Sequence, residues 1–152
     1  MTGYFFDTSA LVKLYLREPG SDAAARLARG WQTTPVFASA LARVEARAAF
    51  QALSRAGSIP SAAAAEIIDA LDRDLDQAFQ VQPMGSDVVE IASLLVIRRP
   101  LRAADAIHLA SCIVLKAPEG LPIFVCSDKR LLRAARDEGL ETLDPAAPAG
   151  AA

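Results

Sequence analysis

Apolar and polar positions along this chain follow two alternating patterns. Short apolar runs at residues 3–6, 35–38, 79–82, 123–126 and 141–143 have the length of strands. The stretches between them carry apolar residues at helical spacing. Ser9, Ser39, Ser61 and Ser86 are the expected caps, and further helices are expected near Arg102 and Lys129. Gly57 and Gly139 are expected helix stops, and Pro19-Gly20 breaks the first helix. Strand alternating with helix predicts an α/β fold, a parallel sheet covered by helices on both faces.

The chain has 152 residues, the length of one domain with a substantial core. That domain is expected over residues 1–144, with PAAPAGAA (145–152) as a disordered tail that has nothing to pack. Eighteen acids against sixteen bases leave a net charge of −2. Global attraction for nucleic acid is thereby excluded, and any RNA contact needs a local basic patch. Cys112 and Cys126 lie inside apolar segments in no CxxC arrangement and read as buried core thiols. No membrane span and no secretory leader is expected, which points to a soluble cytoplasmic protein.

The first apolar run, YFF, stops on Asp7, and the run 123–126 is followed by Ser127-Asp128. Ligands of a parallel α/β sheet sit beyond the carboxyl ends of its strands, so both acids are expected on one rim. Two further acids sit on helices near that rim. Glu45 falls within an apolar stripe of Leu41, Val44, Ala48 and Ala52, and Asp105 shares a face with Leu101, Leu109 and Cys112. Singly, Asp7 and Asp128 are also plausible helix caps, and Glu45 or Asp105 plausible partners of Arg43, Arg47 or Arg102. Four together need compensation, because two unit charges about 4 Å apart repel by roughly 4 kcal/mol at an effective dielectric near 20. A hard divalent cation, Mg²⁺ or Mn²⁺, supplies it. Thr8, Ser9 and Ser127 place hydroxyls beside the two strand-end acids.

At DTSALVKLY, ARVEARAAF, LRAADAIHLAS and VCSDKRLLRAARDEGL the sequence resembles the PIN-domain ribonucleases, in particular VapC-like toxins of bacterial toxin–antitoxin pairs. The resemblance spans Tyr4 to about Leu143. It implies a three-layer α/β/α sandwich with a five-stranded parallel sheet, and Mg²⁺- or Mn²⁺-dependent cleavage of RNA to a 5′-phosphate and a 3′-hydroxyl. It implies Asp7, Glu45 and Asp105 as core metal ligands, with Asp128 completing the site directly or through water. It also implies a homodimer and a cognate antitoxin lying across the N-terminal helices. Leu11, Leu14, Tyr15 and Phe50 are the apolar residues expected at those interfaces.

Other features compete for attention. His108, three residues after Asp105, reads as a hydrogen-bonded core histidine, with a ligand or base role as the alternative. DRDLDQ (72–77) imitates the start of an EF-hand loop but lacks its glycine and glutamate, and reads as a solvated helix. An aspartyl-phosphate phosphatase built on Asp7 is a rival enzyme reading, although Ser9 stands where a second aspartate is usual. A PIN-like module that only binds RNA or protein is the non-enzymatic rival. A P-loop is absent. Arg98, Arg99 and Arg102 before Asp105, and Lys129, Arg130, Arg133 and Arg136 after Asp128, are two candidate phosphate-binding clusters.

Overall fold

A computed structural model describes residues 3–115 and 120–148. Its five strands are β1 (Tyr4–Phe6), β2 (Val36–Ser39), β3 (Phe79–Gln82), β4 (Ile123–Val125) and β5 (Thr142–Leu143). All five pair in parallel, in the order β3-β2-β1-β4-β5. The helices are α1 (Thr8–Leu11), α2 (Ser21–Arg29), α3 (Ala40–Arg55), α4 (Ser61–Gln77), α5 (Ser86–Arg98), α6 (Ala103–Ile113) and α7 (Lys129–Asp137), with a 3₁₀ turn at Val12–Leu14.

Alternation along the strands makes the three layers. Phe5, Phe37 and Phe124 point into one core with residues of α5, α6 and α7. Their neighbours Phe6, Val36, Ala38 and Val125 point into the other, built with α1 to α4. Phe5 stacks on Phe124 at 5.7 Å, and Phe6 meets Phe79 edge-on at 5.6 Å. All of these but Phe37 and Phe79 are fully buried, and each fully buried phenylalanine or valine among them is worth roughly 1.5–3 kcal/mol of transfer free energy. Among the described residues, no helix is long and apolar enough to cross a membrane.

All five expected strands are present, and helices end at Gly57 and Gly139 as expected. Other expectations change. Of the expected serine caps only Ser39 keeps its place, its side chain accepting the Leu41 amide. The first helix is capped by Asp7, whose carboxylate accepts the Ser9 amide at 2.5 Å, while Pro60 and Gly85 stand at the cap positions of α4 and α5, with Ser61 and Ser86 already their first helical residues. The buried face of α3 is Ala42, Ala46 and Phe50, whereas Val44 is 64% exposed and Ala48 and Ala52 are exposed. Phe50 and Leu11 are therefore core residues rather than interface residues, and Tyr15 lies edge-on to Phe50 at 6.0 Å. The segment expected as a tail remains attached as far as it is described. Pro145 is buried, and Asp144 Oδ1 accepts the Ala146 amide. Gly20 has φ +92°, and a Cβ there would stand 2.7 Å from the Pro145 carbonyl carbon, so only glycine lets this turn rest on the start of α2. Residues 149–152 of that tail lie outside the described residues.

Candidate active site

Strand order reverses at β1, whose neighbours are β2 and β4, so the crevice of the sheet opens beyond the ends of β1 and β4. Asp7 follows β1 directly, and its amide donates to the Val125 carbonyl of β4 at 3.0 Å. The residue is only 4% exposed. Oδ1 accepts the Ser9 amide, while Oδ2 accepts the Ser9 hydroxyl at 3.2 Å and the Cys126 thiol at 3.0 Å. Burial raises the Asp7 pKa, and this outweighs the Cys126 bond, the nearby His108 and the Ser9 bonds that act against it. Among the described residues, no arginine or lysine side chain pairs with Asp7.

Glu45, on the second turn of α3, meets residues from both helical layers beyond the end of the sheet. The Thr8 hydroxyl of α1 donates to Glu45 Oε2 at 2.6 Å, and His108 Nε2 of α6 hydrogen-bonds the same oxygen. His108 Nε2 also approaches Thr8 Oγ1 at 3.2 Å. These contacts assign the ring. Nε2 faces a carboxylate and must carry the proton, while Nδ1 is buried with no partner among the described residues. A bare lone pair there costs less than an unpaired N–H, so the Nε2–H tautomer fits. The His108 bond lowers the Glu45 pKa, against partial burial and with help from Thr8. Both donors use Oε2, and Oε1 has no hydrogen bond to the described residues.

Asp105 lies in the first turn of α6, three residues before His108. Its Oδ2 is 3.4 Å from Arg102 Nε, a long contact with an arginine that is 73% exposed. Arg102 also acts electrostatically on Glu45. Arg43 and Arg47, the other arginines considered for Glu45, pair with Asp72 and Asp76 of α4 instead. Asp128 caps α7, its Oδ1 accepting the Arg130 and Leu131 amides at 2.9 and 3.0 Å. Ser127 turns from the acids, its hydroxyl donating to Asp144 at 2.9 Å, while its amide donates to Ser9 Oγ at 2.9 Å.

Most of the expected residues fall into two bonded groups, and Asp105, in contact only with Arg102, belongs to neither. Thr8, Glu45 and His108 form one; Asp7, Ser9 and Cys126 form the other, tied to Asp128 through its amide on Cys126 Sγ at 3.2 Å. Among the described residues, no three His, Cys, Asp or Glu side chains are drawn close enough to hold a metal as they stand. The donor chemistry nevertheless fits a hard cation. Asp7 is a buried carboxylate without a cationic partner, Glu45 has one oxygen held and one free, and Asp105 has only a long contact to an exposed arginine. Two roles escaped sequence reasoning. Cys126 is a free, buried thiol, as expected, but it also donates to Asp7, and its place two residues before Asp128 was the available signal. Asp144 holds Ser127, for which the sequence gives no sign. DRDLDQ is helical as expected, yet ion-paired to α3 and hydrogen-bonded by Tyr15 rather than merely solvated.

A sequence model of the PIN domain family matches residues 4–137. The chain is 35% identical over 148 residues to "Ribonuclease VapC49" of Mycobacterium tuberculosis, covering 93% of this chain and 97% of that protein. In three dimensions it resembles VapC20 of Mycobacterium tuberculosis, described as a sarcin–ricin loop-cleaving toxin, with a TM-score of 0.61, 22% identity and coverage of 91% and 96% of the two chains. A toxin–antitoxin complex from Klebsiella pneumoniae contains a chain similar at a TM-score of 0.63 and 16% identity, with 94% and 98% covered. At these identities the two structures speak for the fold.

Proposed function

The chain belongs to the PIN-domain family, and from that premise we propose that it is a divalent-metal-dependent endoribonuclease, the toxin of a toxin–antitoxin pair. The observation that carries this reading is Asp7: a buried carboxylate at the switch point of the sheet, its pKa raised by burial, with no arginine or lysine partner among the described residues. Such a group is costly unless a cation joins it.

Asp7, Glu45 and Asp105 would hold Mg²⁺ or Mn²⁺, with Asp128 completing the site through the oxygen not used in its cap. When bound, the ion would lower the pKa of water and offset charge developing on the phosphate. The chain's own groups prepare that site. Ser9 and Cys126 fix the Asp7 carboxylate, and Thr8 and His108 hold one Glu45 oxygen so that the other stays available. RNA is the proposed substrate, and a homodimer bound by a cognate antitoxin the proposed resting assembly in the cytoplasm.

The test is RNA cleavage by the purified protein with Mg²⁺ or Mn²⁺ and with chelator, beside Asp7→Asn and Asp105→Asn. Both variants are expected to be inactive, since each exchanges an anionic oxygen ligand for a weak neutral one. Expression of the wild type alone is expected to arrest growth, and expression of Asp7→Asn to leave it unaffected. Cleavage that survives both substitutions and chelator would overturn the metal-nuclease reading. Equal harmlessness at matched soluble levels would overturn the toxin role.

A further inference from the structure

A groove of 1410 Å³ runs along the β5 edge of the sheet, between the start of α2, the outer face of α7 and the turn after β5. It exceeds the roughly 300–1,000 Å³ of a small-molecule cleft. Arg17 and Arg26 line it on one side, and Lys129, Arg133 and Arg136 on the other. The three on α7 follow the i, i+4, i+7 spacing of one helix face and span about 10 Å along it, enough to meet more than one phosphate of a single strand.

Charge makes this groove unlike the rest of the molecule. Five bases against the lining acids Glu18, Asp22 and Asp144 leave it net positive by two, while the whole chain is at −2. The acids are already engaged: Glu18 with Lys13, Asp22 with Arg17, and Asp144 with Ser127 and Ala146. Arg136 donates to Thr142. Arg26, Lys129 and Arg133 are exposed and their side chains make no hydrogen bond or ion pair with the described residues, although Arg26 acts electrostatically on Asp22. The other basic cluster is largely consumed, because Arg98 and Arg99 hold Glu138 and Asp137, and Arg102 faces Asp105. The groove is tied to the site through two residues of its wall. Asp128 caps the helix that begins at Lys129, and Asp144, on the groove wall, holds Ser127.

We propose that this groove carries the sugar–phosphate backbone of RNA away from the scissile bond, with Arg26, Lys129 and Arg133 on its phosphates. The proposal rests on the ribonuclease reading above. No aromatic side chain lines the groove, so it supplies affinity without base stacking and without sequence selection.

Binding of labelled single-stranded RNA to full-length protein, followed from 50 to 300 mM KCl, tests this. The Asp7→Asn background keeps the RNA intact. Arg26→Gln, Lys129→Gln and Arg133→Gln should each flatten the slope of log affinity against log salt by about 0.7, and the triple variant by about 2. The loss should be equal for unrelated RNA sequences, Arg133→Lys should restore it, and Arg98→Gln should leave it unchanged. In the otherwise wild-type enzyme, the triple variant should raise KM with little change in kcat. A triple variant that keeps the parent slope and affinity overturns the groove, and the same result together with loss of a bound acidic protein partner reassigns it. If Asp7→Asn protein binds no RNA at any salt and the wild type cleaves none, the ribonuclease reading itself fails.

Discussion

His108 offers a sharp test of how the site is held together. Its Nε2–H bonds the Glu45 carboxylate, and its Nδ1 is buried and unpartnered. The two ring nitrogens are therefore not equivalent, and substitution can separate them. Glutamine places an amide N–H near the Nε2 position, whereas asparagine reaches only as far as Nδ1. Leucine keeps much of the volume and supplies neither. A hydrogen bond to a charged group is worth about 1.5–3 kcal/mol, while a buried unsatisfied polar atom costs about 1–3 kcal/mol. In His108→Leu the lost bond and the removed orphan nearly cancel, so its apo stability should stay within about 1 kcal/mol of wild type. Mn²⁺ affinity has no such offset. With only Thr8 left on Oε2, Glu45 can swing, and a loss of about 10–100-fold follows, the range found when groups that orient metal ligands are removed.

Direct Mn²⁺ titration by calorimetry, beside thermal melts under chelator, measures both quantities. The expected order of Mn²⁺ affinity is wild type, then His108→Gln close behind, then His108→Asn and His108→Leu together. Wild-type affinity in His108→Leu would refute the reasoning, since the clamp would then have no part in presenting Glu45. Rescue by asparagine rather than glutamine would mean that the ring is turned over and that Nδ1 faces Glu45.

Three further outcomes follow from the same geometry. Burial raises the folded-state pKa of Asp7 above its ordinary value of 3.8, so the folded protein binds more protons than the unfolded chain, and stability is lost as pH rises through that folded value. Asp7→Asn retains an oxygen to cap α1, and under chelator its melting temperature should pull ahead of wild type as pH goes from 4 to 7; a constant difference would show that protein partners compensate Asp7. Mg²⁺ at a hundredfold excess over its Kd should stabilise the wild type by about 2.7 kcal/mol in thermal melts, and Asp105→Asn should respond much less. Asp128→Asn should keep the cap of α7 and lower cleavage, whereas Asp128→Ala should also lose about 1 kcal/mol of stability; full cleavage by Asp128→Asn would reduce Asp128 to a cap.

The strands were legible because a buried parallel strand has few ways to look: a short apolar run bounded by turn residues and ending on the residue that faces the crevice. Asp7 and Asp128 were legible for the same reason, since their address is the end of a strand. The phase of α3 was not. Alanine fills so many of its positions that two stripes are nearly equally apolar, and only the fully buried Phe50 shows which one faces the core. Choosing the stripe through Val44 made Phe50 look like surface and Glu45 like a buried acid. With the true face at Ala42, Ala46 and Phe50, Glu45 sits at its edge, its side chain 32% exposed.

That edge position explains what the sequence could not supply about His108. A fully buried glutamate would need its charge matched inside the core, and an exposed one would need no holding at all. An acid at the margin of two packed layers has solvent on one side and must be held from the other, here by Thr8 of its own layer and by His108, which reaches across the end of the sheet from the opposite one. His108 comes from α6 and Glu45 from α3, 63 residues apart in the chain. Helical periodicity sees neighbours within one element and is blind to a pair like this. The expectation that His108 is a hydrogen-bonded core residue was sound as far as it went, since it is 2% exposed and bonded. Its partner is the informative part. A core histidine whose hydrogen bond falls on a candidate metal ligand cannot be assigned to packing alone, and removing it should be felt first at the metal and only secondarily in the melt.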